Sequence, residues 1–342
     1  MPKRPQPAAT GVWPRRAEAL AGHFPLSRLH PGALTAAGKG RWAVGFSGGP
    51  DSLALLLLLW AHWPQRRRSL VALHFDHRLR GAASRGDAKF CAAVCAGLGV
   101  RLIAGHWAKK PRGPASEAAA REARLEFFAR SSARARIATL WLGHRQDDIA
   151  ETLLMRLARG SGTAGLAAPR PLTEAAPRRV RPLLTLKKAE LVAALQTLKI
   201  PFRQDRSNAQ GRYLRNRIRS QVLPAWQATA EGRDVLAGAA LSRELLQEDD
   251  EALEKLTDAK ASLAPSGRLN LGRLEGAPRA VWRRALNRWV LAQNARSHSF
   301  RLSRAGFNLL LQAAEAGRPT RISMGANTFA QISAGVLRLV KK

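Results

Sequence analysis

Short apolar runs alternate with longer helical-period segments through the first two thirds of the chain. Residues 42–46, 70–75, 100–104 and 139–143 are brief and apolar, and Gly or polar turns bound them, as expected of strands. Between them, residues 53–63, 86–97, 116–134 and 148–159 carry apolar positions at helical spacing. The run 53–63 is almost entirely leucine and predicts a helix with leucine along its buried side. Strand and helix alternate with linkers too short for separate sheets. The pattern predicts an α/β fold, a parallel sheet with helices on both faces.

The flanks read differently. Residues 1–40 look like a Pro-containing basic leader with one helix near 26–37. Beyond Pro224 the periodicity becomes helical over 226–263, 278–294 and 303–316. Residues 320–340 then alternate like a hairpin or small meander, with Gly325 and Gly335 as turns. The expected organisation is a leader (1–40), an α/β domain (41–225) and a smaller, mainly helical domain with a β tail (226–342).

Charge narrows the partners. The 342 residues carry 57 Lys and Arg against 24 Asp and Glu, a net +33, and an excess that large calls for a polyphosphate partner such as a nucleic acid. The longest apolar run, 53–60, is too short to span a bilayer, and no stretch resembles a secretory signal. Cys91 and Cys95 make no disulfide framework. Four residues apart on one helix, they read as small buried hydrophobes, and the expected compartment is the cytoplasm.

The chemistry concentrates at Ser47-Gly48-Gly49-Pro50-Asp51-Ser52, between a strand and the leucine helix. Two glycines let the backbone approach an anion, and the helix start aims free N–H groups at it. Ser47 and Ser52 add hydroxyls. No Gly-Lys-Ser/Thr follows, so this is not a Walker loop. Asp51 would repel phosphate unless a divalent cation lay between them, which points to Mg²⁺ bridging pyrophosphate and Asp51. Asp148 and Glu151, at i and i+3, share a helical face and could hold an ammonium, or could be ordinary acids of a first turn. Arg121 and Arg124 repeat that spacing, either for a phosphate or adenylate contact or as partners of Glu117 and Glu122. His77 and His144 follow strand C-termini, where open α/β folds bind ligands, or could be packed loop residues. Arg212, Arg215, Arg217 and Arg219 fall within eight residues, either a solvated helix face or a cluster for RNA phosphates; a mixture is expected, with Arg215 and Arg219, at helical spacing, the functional pair. Trp282, Arg283, Arg284, Arg288 and Trp289 read first as amphipathic packing.

Ser-Gly-Gly-x-Asp-Ser resembles the signature of the PP-loop ATP-pyrophosphatases, and five further blocks narrow the likeness to tRNA(Ile)-lysidine synthases. These are Asp76-His77-Arg78-Leu79-Arg80, the helix Glu117 to Arg124, His144-Arg145-Gln146-Asp147-Asp148-Ile149-Ala150-Glu151-Thr152, Val180-Arg181-Pro182-Leu183-Leu184, and Asp205 to Arg219 with Ser207, Asn208 and Asn216. The resemblance runs in order over about 42–225. It implies a PP-loop ATP-binding catalytic domain there and a tRNA-binding domain after it. The implied reaction joins free L-lysine to C2 of the wobble cytidine of a CAU-anticodon isoleucine tRNA. ATP adenylates the cytidine, and AMP and pyrophosphate are released.

On that likeness Ser47 to Ser52 and His77 bind ATP, Asp51 holds Mg²⁺, and Asp51, Arg121, Arg145, Asp148 and Glu151 carry the chemistry. Arg124, Asp205, Asn208, Arg215, Asn216 and Arg219 bind substrate or RNA. A homodimer is one assembly this reading allows. The chain departs from the family's His-His-x-Asp-Asp-Gln block at Arg145 and Ile149. Arginine cannot release a proton at working pH, so Arg145 is expected to stabilise charge on the α-phosphate. Two other functions fit the same loop, a PP-loop enzyme that thiolates tRNA and a tRNA-binding protein without catalysis. An amidotransferase of the asparagine-synthetase type is not expected, since the sequence shows no N-terminal nucleophilic cysteine.

Overall fold

The computed structural model describes residues 11–35, 38–77, 82–107, 116–203, 214–261, 264, 266–297, 302–325 and 327–341. The chain forms two compact units, Met1–Leu245 and Leu246–Lys342.

The first unit begins with α1 (Val12–His23) and α2 (Pro31–Thr35). The alternating series follows: β1 (Arg41–Gly45), α3 (Pro50–His62), β2 (Leu70–Asp76), α4 (Ala82–Leu98), β3 (Arg101–His106), α5 (Glu117–Ala135), β4 (Ile137–Trp141) and α6 (Gln146–Leu157). After α7 (Thr163–Leu166) come β5 (Leu172–Thr173), β6 (Arg178–Val180), α8 (Lys188–Thr197), α9 (Leu214–Arg217), a π-helical turn (Ile218–Val222) and α10 (Leu223–Thr229). The sheet order is β3-β2-β1-β4-β6-β5, parallel throughout except for the edge strand β5. Helices cover both faces. α5 packs Phe127 and Phe128 against Ala43, Val71, Leu73 and Leu140 on one side, while α1, α3, α4 and α8 build the larger core on the other.

The leucine helix α3 goes further than expected. Every residue from Ser52 to Trp60 is buried, so the helix has no solvent face. A helix apolar all round needs cover on both sides. The sheet supplies one side, and α1 and α8 supply the other, with Ala17, Leu20, Leu191 and Leu195 in the same core as Leu55 and Leu56. The expectation of a leader over 1–40 is corrected here, because 11–35 contribute buried Ala17, Leu20, Phe24, Leu29 and Ala33 to that core. The stripe Ala17, Leu20, Phe24 signals it, but the surrounding Pro and Arg residues hide it. The helix expected over 26–37 is a 3-10 turn at Leu26–Arg28 followed by α2.

Division into compact units falls inside α11 (Val235–Lys260), whereas the change of sequence character lies near 225. The second unit contains β7 (Leu269–Asn270), α12 (Arg279–Ser297), α13 (Arg304–Glu315), β8 (Thr320–Gly325), β9 (Thr328–Ser333) and β10 (Val336–Lys341). Its antiparallel sheet runs β7-β10-β9-β8, with Gly325 (φ 88°) and Gly335 (φ 70°) turning the chain. Trp282 and Trp289 are buried in its core. On α12, Arg284 pairs with Asp250 and Glu254, and Arg288 pairs with Glu254 and Asp258, a ladder of four-residue steps along two helices. No helix among the described residues is long and apolar enough to cross a membrane.

Candidate active site

The strand order reverses between β1 and β4, and open α/β sheets bind ligands at such a switch point. Two loops meet there. Residues 46–49 lead from β1 into α3, and residues 142–145 lead from β4 into α6. Gly143 makes the approach possible, since a Cβ there would stand 3.0 Å from the Asp51 carbonyl oxygen. In the first loop the Ser52 hydroxyl accepts from the Ser47 N–H at 3.1 Å and donates to the Gly49 carbonyl at 3.1 Å. Gly49 caps α3 and Pro50 opens it, leaving the first-turn N–H groups without a side-chain cap.

The two glycines differ. Gly48 has φ +81°, and a Cβ there would meet Cys91 Sγ and Phe90 Cδ1 at 3.2 Å. Gly49 has φ −70° and no neighbour within 3.4 Å of a built Cβ. Gly48→Ala is therefore expected to cost about 1–2 kcal/mol of stability, and Gly49→Ala less than half of that. Paired thermal melts check the order, which equal costs would overturn.

Asp51 sits in the first turn of α3 with its side chain three-quarters buried. One oxygen pairs with the Arg145 guanidinium, and the other, Oδ1, is buried without a hydrogen-bond partner. Burial pushes the carboxyl up to about 6. Arg145 and Lys188 pull against that shift, and Asp148 and Asp147 add to it. Arg145 is buried at the N-cap of α6, where its N–H donates to Asp148 Oδ2 at 3.0 Å and its Nε lies 3.4 Å from Asp147 Oδ2. Burial alone would lower the guanidinium's pKa, but Asp148, Asp51, Asp147 and Glu151 together hold it above its usual value. Asp147 also accepts the Lys188 N–H at 2.8 Å.

Asp148 and Glu151 do share one face of α6, and both are buried, Glu151 completely. Their oxygens are met by arginines of the following segment. Arg215 bonds Asp148 and, through Nε, Glu151 Oε2 at 2.6 Å. Arg219 reaches Glu151 Oε1 at 2.7 Å and Oε2 at 2.9 Å. Burial pushes the Asp148 carboxyl up, but Arg145, Arg215, His144 and the Arg145 N–H outweigh it and leave the pKa below its usual value. Arg215 and Arg219 thus serve carboxylates.

His144 accepts from Arg181 Nε at 3.1 Å. Arg121 and Arg124 lie on α5, Arg121 exposed and Arg124 half-buried, and Arg124 adds positive potential at His144. His77 packs edge-on against Phe75 and Trp107, with centroids 4.9 and 5.6 Å away. Asn216 is half-buried on α9. Asp205 and Asn208 lie outside the described residues, as does the Glu117 side chain. Three site residues carried no assignment from sequence. Arg181 lay in a quoted block without a role, Lys188 had no local signal, and Arg203 follows a Pro-Phe turn. The Arg203 N–H donates to the Gly48 carbonyl at 2.9 Å and its Nε to Asp87 at 2.6 Å.

Mg²⁺ fits this donor set through the buried, unpartnered Asp51 Oδ1. Among the described residues no cluster of three or more His, Cys, Asp or Glu side chains could hold a metal by itself, so phosphate and water oxygens would complete the shell. Cys91 and Cys95 are buried free thiols. Burial pushes both pKa values up, that of Cys95 to about 12, leaving inert thiols beneath the loop.

Comparison with known proteins agrees with this geometry. The PP-loop domain family matches residues 27–226. The chain is 40% identical to the tRNA(Ile)-lysidine synthase of Gloeobacter violaceus over 266 residues, covering 75% of this chain and 78% of that protein. It is 43% identical to the protein of that name from Solibacter usitatus over 57% of this chain and 42% of the relative. For Bacillus subtilis the figures are 37%, 63% and 46%. The chain spans about half the length of most of these curated relatives. A solved U34-tRNA thiolase, NcsA from Methanococcus maripaludis with its 4Fe-4S cluster, superposes with a TM-score of 0.52 at 18% identity. The match covers 68% of this chain and 78% of the thiolase, and it establishes the shared fold alone. The match over most of the Gloeobacter protein, together with the PP-loop domain match, makes this chain a member of the tRNA(Ile)-lysidine synthase family.

Proposed function

We propose that the chain joins free L-lysine to C2 of the wobble cytidine in a CAU-anticodon isoleucine tRNA, at the expense of ATP, in the cytoplasm. One observation carries this reading: the PP-loop and the Asp148/Glu151 pair belong to a single charged network, linked through Asp51 and Arg145. The cytidine O2 attacks the α-phosphorus and pyrophosphate leaves. The lysine ε-nitrogen then attacks C2, AMP departs with the oxygen, and the ammonium's protons are lost.

Each part has its residues. The N–H groups at the start of α3, with Ser47 and Ser52, cradle pyrophosphate. Mg²⁺ held by Asp51 Oδ1 would neutralise phosphate charge. Asp148 and Glu151 seat the lysine ammonium once Arg215 and Arg219 turn to phosphates. With its pKa held low, Asp148 is suited to anchoring a cation rather than taking up a proton. Arg121, Arg124 and Asn216, with Asp205 and Asn208, are proposed RNA or adenylate contacts.

Nucleoside mass spectrometry of the tRNA after incubation with ATP and lysine tests the proposal. Lysidine is expected. A sulfur-dependent product would instead assign thiolation, and RNA binding without AMP formation would make the protein a non-catalytic binder. The +33 charge adds a binding prediction. The logarithm of tRNA affinity should fall linearly with the logarithm of salt concentration, with a slope of roughly several units. Filter binding between low and moderate salt measures it, and a flat line would remove tRNA phosphates as the principal counter-charge.

A further inference from the structure

We infer that Arg181 is a positioning residue of the active site, which holds His144 as a neutral imidazole with Nδ1 as acceptor and its proton on Nε2. Among the described residues Arg181 has no carboxylate partner. Arg181 directly follows β6 and its side chain is buried. Its Nε donates to His144 Nδ1 at 3.1 Å, and its Nη1 donates to the Arg170 carbonyl at 2.7 Å and Thr173 Oγ1 at 3.0 Å. All three acceptors are neutral. Burial, and then the like charges of Arg179 and Arg121, bring its pKa down to about 10, which still leaves a cation at neutral pH.

Burying a guanidinium without a carboxylate costs stability, and an apolar side chain would fill the space more favourably. What a guanidinium guarantees, and an apolar side chain does not, is a group that donates and never accepts. Facing it, Nδ1 of His144 must carry a lone pair. The imidazolium form would set one N–H against another, so the ring is neutral and its proton lies on Nε2. The surrounding charges agree. Asp148 on α6 favours protonation, while Arg215 on α9, Arg124 on α5 and Arg181 oppose it. Burial is the largest influence, and the imidazole pKa is driven down to about 3.

With Nδ1 taken up by Arg181, the ring's one remaining polar atom, Nε2, carries the proton and can only donate. This has a consequence that rests on the proposed reaction. His144 supplies a fixed hydrogen bond to an oxygen of phosphate or cytidine and cannot act as the base that deprotonates lysine. The Val180-Arg181-Pro182 block thereby gains a physical role.

Long-range proton–nitrogen NMR of the ligand-free protein with labelled histidine tests the inference without any substrate, so its outcome is separate from that of the proposed reaction. The chain has eight histidines, and His144→Gln assigns the relevant signal. Between pH 5.5 and 8.5 the wild-type His144 should show an unprotonated Nδ1 and a protonated Nε2, neither moving with pH. In Arg181→Met the tautomer is no longer fixed, and the two ring-nitrogen signals should move toward the averaged values of a mixed population. A wild-type His144 that titrates there, a proton on Nδ1, or an Arg181→Met tautomer unchanged from wild type would each overturn the inference. Should the methionine variant fail to fold, the wild-type tautomer and its pH response decide alone.

Discussion

Asp51→Asn should stop release of AMP and pyrophosphate and, at pH 7–8, raise the melting temperature of the ligand-free protein by a few degrees. Both effects have the same origin. The Asp51 carboxyl is raised from 3.8 to about 6 in the fold, so between those values the unfolded chain has released a proton that the folded chain still holds. The stability tied to this group is therefore intact below about pH 4 and is lost as pH rises through about 6. Above that the buried carboxylate costs on the order of 1–3 kcal/mol. Asparagine keeps the shape and removes the charge, which for a domain of this size corresponds to roughly 2–4 °C per kcal/mol. It also removes the anionic oxygen a metal requires, and the expected loss of turnover is roughly a thousandfold or more. Pyrophosphate release, with melts at pH 4 and pH 7.5, checks both arms. The melting gap should close at the lower pH. Normal turnover, or a gap unchanged at pH 4, would sink the assignment.

Arg145→Ala should lower the rate of adenylation by about two orders of magnitude. The structure divides the possible reasons. Arg145 was expected from sequence to act on the α-phosphate, yet its guanidinium is paired with Asp51. It is also the strongest influence holding the Asp51 carboxyl down, so removing it drives that carboxyl further above 6. If Arg145 acts through Asp51, raising the pH from 7 to 9 should recover a substantial part of the lost rate. If it acts only on phosphate, the deficit should be the same at every pH. We expect partial recovery, with Arg145→His substantially active and its rate falling as the imidazole is deprotonated. Wild-type adenylation by Arg145→Ala would place the residue outside the chemistry.

The α/β framework was legible because its signals are local. The four strands and the leucine helix each announce themselves by composition, and so do the glycine loop and the two-glycine meander at the C-terminal end. Elements without a local signature were missed. β5 and β6 have two and three residues, too few for a period to emerge, and α1 hides its apolar stripe among prolines and arginines. At the site, i and i+3 spacing placed Asp148 and Glu151 on one face, because helix geometry is fixed by sequence distance. The pairing of those acids with Arg215 and Arg219, more than sixty residues away, is tertiary, and no spacing rule reaches it. Arg181 and His144, 37 residues apart, meet for the same reason.

The enclosure of α3 bears on the kinetics of the nucleotide cradle. Its backbone amides lie at the centre of the largest core, and its first turn is the floor of the loop. Amides in such a position exchange with solvent only through openings close in free energy to global unfolding. The cradle therefore rests on a fixed seat, and deuterium uptake by the hydrogen-bonded amides of residues 53–60 should track denaturant stability with the same slope as the whole unit. Opening and closing around substrate must fall to segments with less of the core invested in them.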